Sequence, residues 1–196
     1  MIPVRQSIGG LGNLMFKQAF IMSKVFDGEI PDVYVQSTKY WEKHKEKIRS
    51  FFSIGVGERV DKVSLHIRRG DYLTAEHFHT NLWNTDYYQN AVKMFPNDRF
   101  IVFCRDRQSL AQDMKDRDWC EENLPALLGD RWELAPLDND EVQDMNLMAS
   151  CKAHIMANST FSWWASFISG AMTVCPKFWF TDGIQRCEIL PEWVLL

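Results

Sequence analysis

From Asp61 to Cys175 short apolar runs alternate with helical stretches, and this alternation restricts the possible folds more than any other feature of the chain. The pattern predicts strands at 62–67, 99–104, 131–135, 153–157 and 172–175. Between them it predicts helices at 86–95, 107–117, 140–150 and 160–170, with a short helix at 120–128. Strands that alternate with helices are the sequence signature of a parallel sheet whose crossover helices cover both faces. The expected class is α/β: a Rossmann-like parallel sheet with helices on both faces. In such sheets ligands sit outside the carboxyl ends of the strands.

The first sixty residues are patterned less clearly. Ile2 to Ile8 reads as a short strand, Gly9-Gly10-Leu11-Gly12 as a turn, and Leu14 to Val25 as an apolar helix. Val33-Tyr34-Val35 suits a second strand, and Lys39 to Arg49 could form a helix with a narrow face of Tyr40, Trp41, His44 and Ile48. Gly55-Val56-Gly57 interrupts the pattern and marks the expected division into a reduced Rossmann-like lobe, residues 1–60, and a second domain, residues 61–196.

Composition narrows the function classes. With 196 residues and 46% hydrophobic content the chain can bury a sizeable core. A formal charge of -4 supplies no overall basic field, so nucleic acid is not an expected partner and any phosphate site must be local. Cysteines at 104, 120, 151, 175 and 187 are odd in number and contain no C-x-x-C pair, which favours reduced thiols over a disulfide framework or a zinc site. Residues 1–12 hold no apolar run of signal-peptide length, and no stretch approaches 18 apolar residues, so a cytoplasmic setting is expected.

Two segments carry chemistry. Val63, Leu65 and Ile67 alternate with polar residues in a strand that runs straight into Arg68-Arg69-Gly70-Asp71-Tyr72. A planar guanidinium binds phosphate through two parallel hydrogen bonds and stays charged, so adjacent arginines at a strand end suit a diphosphate. Gly70 would permit the turn, and Asp71 could brace an arginine or take a proton from an attacking hydroxyl. The bland alternative is a pair of solvated loop charges. Further on, the apolar run 153–157 leads through Asn158-Ser159-Thr160-Phe161-Ser162 into Trp163-Trp164-Ala165-Ser166-Phe167. Ser159 or Thr160 is a natural N-cap, and the free N–H groups and dipole of such a helix start attract anions. Ordinary capping of a core helix is the rival explanation. Trp163, Trp164, Tyr87, Tyr88 and Trp179 are read as core aromatics, and His77-Phe78-His79 as a loop. Neither a G-x-x-x-x-G-K-[ST] loop nor a G-x-G-x-x-G turn is present, which counts against kinase and dehydrogenase readings.

Three motifs in order, Gly9-Gly10-Leu11-Gly12-Asn13 with Met15-Phe16, His66-Ile67-Arg68-Arg69-Gly70-Asp71-Tyr72, and Asn158-Ser159-Thr160-Phe161-Ser162-Trp163-Trp164, resemble the family-11 glycosyltransferases, the alpha-1,2-fucosyltransferase family. Asp144-Met145-Asn146-Leu147-Met148, Trp179-Phe180 and Pro191-Glu192-Trp193 add to the likeness. The resemblance implies a GT-B-like pair of lobes, GDP-fucose as donor, inversion at the anomeric carbon, a glycan acceptor and no required metal or other cofactor. Carried over by position, it implies catalytic roles for Arg68, Arg69 and Asp71. It implies substrate contacts for Gly10, Gly12, Asn13, His66, Asp106, Ser159, Thr160, Phe161 and Ser162. Leu14 replaces the family's usual Gln, and Cys104-Arg105-Asp106 replaces a Ser-Asp-Asp run. The stretch between the first helix and the arginines is far shorter than usual, so much of the acceptor lobe is missing relative to the family. A partner chain, as in a homo-oligomer, could complete it. The alternative expectation is a relative that binds nucleotide sugar without transferring it.

Overall fold

The computed structural model describes residues 10–27, 36–105 and 109–196. The expected strands at 2–8 and 33–35, the first two residues of the helix expected at 107–117, and Asp106 lie outside these residues. Among the described residues six strands form one sheet: β1 (Val60–His66), β2 (Phe100–Phe103), β3 (Trp132–Leu134), β4 (Cys151–Ile155), β5 (Met172–Cys175) and β6 (Val194–Leu195). Their order is β3-β2-β1-β4-β5-β6, and every pairing is parallel. The order reverses between β1 and β4, which makes the crevice beyond their carboxyl ends the switch point where ligands bind in doubly wound sheets.

Both faces of the sheet are covered, as the apolar strands require. On one side Val63 and Leu65 of β1, Phe100 and Val102 of β2, and Ile155 of β4 pack with α3 (Tyr87–Lys93) and α4 (Leu110–Leu128). On the other, Ile101 and Phe103 of β2 and Cys175 of β5 meet α1 (Leu11–Asp27), α5 (Glu141–Ser150) and α6 (Thr160–Ser169). Successive β2 residues thus point to opposite faces, as a strand's period of two dictates. The centre of this second layer is aromatic. Phe16 of α1 lies 4.5 Å from Trp163 and 5.0 Å from Trp164 of α6. Trp41 stacks on Trp164, and Phe52 of α2 (Lys45–Phe52) meets Trp164 edge-on. Tryptophans 163 and 164 are fully buried, as a core assignment for them predicts, and Tyr87, Tyr88 and Trp179 are buried too.

Three local expectations are corrected. The helices expected at 107–117 and 120–128 are one continuous α4 with Pro125 inside it. Cys120, Leu124 and Leu128 recur every fourth residue and are all buried, and this sheet-facing stripe holds the helix through the hydrogen bond that proline removes. The helix expected from Lys39 is instead two 3-10 turns, Thr38–Tyr40 and Glu42–His44, followed by α2. Trp41 sits between the turns and is buried, as is Ile48, whereas Tyr40 is exposed. The closing strand β6 was not expected, being two residues long and flanked by Trp193 and Leu196.

Candidate functional site

Beyond the carboxyl ends of β1, β2 and β4 lies a cleft of about 540 Å³. Each wall is a consequence of local sequence. Strand β1 ends at His66, and the chain then turns through Gly70, whose φ of 50° lies in the left-handed region that glycine enters without a Cβ clash. The turn places Arg68, Asp71 and Tyr72 on the cleft. After β4 the chain passes Asn158 and enters α6, with Ser159 as N-cap accepting a hydrogen bond from the Phe161 N–H. Ser159, Thr160 and Phe161 line the same cleft, and the first turn of α6 brings N–H donors and the positive end of its dipole.

The start of α1 forms another wall with Gly10, Leu11, Gly12 and Asn13. At Gly12 an added Cβ would lie 2.4 Å from the Thr160 carbonyl carbon and 2.6 Å from Thr160 Oγ1. Gly12 therefore has a packing reason as well as a place on the cleft: it lets two helix N-termini meet. Asn13 Oδ1 accepts a hydrogen bond from Gln36 Nε2 at 2.6 Å.

The two arginines separate. Arg68 donates through Nη2 to Asp71 Oδ1 at 2.5 Å and lies 5.0 Å over the Tyr72 ring. With five N–H donors, a guanidinium braced by one carboxylate keeps donors for an anion in the cleft. Arg69 lies behind the turn. Its Nε donates to Asp116 Oδ1 at 3.2 Å, its guanidinium sits 3.9 Å over Trp119, and it lines a small crevice with Leu82, Trp83 and Tyr88 rather than the main cleft. Asp116 is fully buried on α4, so Arg69 ties the arginine turn to that helix. Ser162 is also set back: it is buried, and its hydroxyl donates to the carbonyls of Ala157 and Ser159.

His66 lines the cleft while being only 4% exposed, and its Nδ1 meets no hydrogen-bond partner within the described residues. Burial, aided by the Arg68 charge, pushes its pKa down to about 3, so the imidazole is neutral at physiological pH. Tyr72 is pushed the other way, up to about 12, chiefly by burial, and its hydroxyl donates to the Asn158 carbonyl at 3.0 Å.

Several lining residues were absent from the sequence-based site. Phe103, Arg105, Glu141 and Asp144 form the end nearest β2. Arg105 is buried there against Asp144 at 2.9 Å and also donates to the carbonyls of Leu137 and Asn139, which fastens the β3–α5 connection to the end of β2. Tyr72, Phe78, His79, Trp179, Phe180 and Arg186 form the opposite end. Tyr72 and Asn158 stand in the motifs quoted above, and Asp144, Trp179 and Phe180 in the segments that add to the likeness; the Asn158 amide donates to the carbonyls of Thr80 and Trp179 and so holds two loops at the cleft. Residues 72–80 and 178–186 are brought to the site by the tertiary fold, through the His79–Phe180 bridge. Among the described residues no group of three or more His, Cys, Asp or Glu side chains is arranged to hold a metal ion.

A doubly wound parallel sheet with an arginine turn and a helix N-terminus lining one cleft at the switch point defines a Rossmann-like α/β fold. The chain belongs to glycosyl transferase family 11, whose family model matches residues 26–196. The O-antigen biosynthesis glycosyltransferase WbnK of Escherichia coli is 28% identical over 189 residues, covering 83% of this chain and 59% of its own length. The alpha-1,2-colitosyltransferase of Escherichia coli is 30% identical over 183 residues, with 81% and 59% covered. Galactoside alpha-(1,2)-fucosyltransferase 1 of Saimiri sciureus is 30% identical over 145 residues, with 67% and 37% covered. The chain therefore spans 59% of the length of the bacterial relatives and 37% of the primate one. No helix among the described residues is long and apolar enough to cross a membrane.

Proposed function

We propose that this chain is a glycosyltransferase of the galactoside alpha-1,2-fucosyltransferase type that moves fucose from GDP-fucose to an acceptor sugar hydroxyl with inversion. The observation that carries the reading is a switch-point cleft lined both by Arg68, braced by Asp71, and by the N-terminus of α6. The colitosyl and fucosyl transfer for which the bacterial and primate relatives are named supports the sugar chemistry. Residues 61–196 are assigned to the donor and residues 1–60 to the acceptor side, although α1 and α2 also share the aromatic core of α6.

In the transfer the acceptor oxygen forms a bond to the anomeric carbon as the bond from that carbon to the diphosphate breaks. The electron pair of the broken bond stays with GDP, and the acceptor proton passes to Asp71, to the leaving phosphate or to water. Negative charge grows on the diphosphate, so groups already oriented toward it stabilise the transition state more than the ground state. Arg68 and the α6 N–H groups do this without a metal ion in the scheme. His66, neutral and with a ring nitrogen available, offers a hydrogen bond rather than a charge. Five buried free cysteines support a reducing, cytoplasmic setting.

Calorimetric titration with GDP, followed by an assay of GDP-fucose with galactose-terminated acceptors in EDTA, tests the reading. GDP binding with fucosylated product is expected. Failure to bind GDP overturns it, and product that disappears with EDTA overturns the metal-free scheme. A second reading, donor binding without transfer, draws on the length that the matched relatives carry beyond this span. GDP-fucose binding with no product from any acceptor supports it.

A further inference from the structure

The end of the cleft farthest from β2 is built from stacked rings. Tyr72 and His79 are parallel within 8° at a centroid distance of 3.9 Å. Phe180 lies 5.5 Å from His79, and Phe78 packs 5.0 Å from Phe180. The Arg186 guanidinium closes the wall, 4.8 Å over Phe180 and 5.2 Å over Phe78, and is itself held by Asp182 at 2.6 Å. Phe78 is 40% exposed although it belongs to this cluster, and His79 Nδ1 is buried without a hydrogen-bond partner among the described residues. Satisfying the cluster's own packing does not call for an exposed ring beside an exposed ion pair.

We infer that this wall, centred on Phe78, His79 and Phe180 with the Asp182–Arg186 pair at its edge, is the subsite for the acceptor's pyranose ring. The inference rests on the proposed donor site and moves the acceptor's ring from residues 1–60, where the division into lobes put it, to the far end of the same cleft. A pyranose has a C–H face and a rim of hydroxyls, so it matches an aromatic surface bordered by a carboxylate and a guanidinium. Topology assigns the ends of the cleft. With the diphosphate at the switch point beyond β1 and β4, the nucleoside of a doubly wound sheet extends over the β2 side, where acidic groups conventionally meet the ribose. Here that end holds Arg105, Glu141 and Asp144. The ring wall follows β1 and β5 and adjoins Arg68 through Tyr72, whose ring lies 5.0 Å from the guanidinium, so a sugar there sits beside the diphosphate site and away from the β2 end.

The test uses lactose as a galactose-terminated probe, titrated by saturation-transfer NMR into the whole chain saturated with GDP, alongside calorimetry of GDP alone. Phe78→Ala and Phe180→Ala should each weaken lactose binding by about tenfold or more, as expected for a lost ring contact, with GDP affinity unchanged within about twofold. Phe180→Tyr should retain lactose binding and shows that the position needs a ring. A wild-type chain that binds GDP but not lactose overturns the inference while leaving the donor site standing. Weakened GDP binding in the alanine variants overturns it by giving the wall to the nucleotide base, and unchanged lactose binding overturns it outright. A chain that binds no GDP overturns the donor reading, and the inference with it.

Discussion

Arg68 and Arg69 are neighbours in sequence but differ in what they touch, and substitutions should separate them. On the proposed donor site Arg68→Ala removes a charge-assisted contact to the phosphates, an interaction of about 1.5–3 kcal/mol, so GDP affinity should fall roughly ten- to a hundredfold with little change in unfolding midpoint. Arg69→Ala leaves the carboxylate of Asp116 buried on α4 after its guanidinium partner is gone. Loss of one partner of a buried pair costs about 3–5 kcal/mol, so this variant should show its main effect in urea unfolding. An Arg69→Ala chain of normal stability that fails to bind GDP would give Arg69 direct contact with the donor. The adjacency that suggested a paired diphosphate clamp could not show this difference, because successive residues after a strand point in different directions. Nor could sequence show that α4 offers Asp116 and Trp119 to one of them.

At the scale of elements, α6 joins the site to the core. Its N-terminus faces the cleft, while Trp163 and Trp164 sit among Phe16, Trp41, Phe52 and Phe167. Trp164→Ala should therefore destabilise the fold by about 3–5 kcal/mol, as large-to-small changes of buried aromatics do, and chemical denaturation would measure it. Gly12→Ala addresses the contact between α1 and α6. The new methyl would press on the Thr160 backbone rather than on a flexible side-chain end. Overpacking of that kind costs about 1–3 kcal/mol, and pushing α1 off the start of α6 should weaken GDP binding as well. Normal stability together with normal GDP affinity would show that the helices can part without consequence. The strand–helix alternation from Asp61 onward was legible because apolar runs and amphipathic stretches are local patterns. Continuity of α4 through Pro125 was not, since proline's local preference opposes a helix and only burial of Cys120, Leu124 and Leu128 against the sheet outweighs it.

At the scale of the whole molecule, two imidazoles are enclosed in neutral form. His66 ends β1, and His154 of β4 pairs with Ser64 at 2.7 Å inside the sheet. Burial lowers each pKa from 6.5 to about 3. Between those values the unfolded chain binds protons that the folded chain does not, so stability is complete above the unfolded value and is lost as the pH falls toward the folded one. Urea midpoints should drop from about pH 7 to about pH 5, a range above most carboxylate titration. A flat profile there would mean that the histidines are protonated or solvent-accessible in the native state. The fold class, the arginine turn, the capped helix start and the buried tryptophans follow from the sequence alone, since each is written in a few consecutive residues as period, charge or capping chemistry. Tertiary structure decided which arginine faces the cleft, why Gly12 has no side chain, and that residues 72–80 and 178–186 meet in a wall of rings. Those facts depend on contacts between segments from 47 to about 150 residues apart, and such contacts are set by strand order and packing rather than by any local pattern.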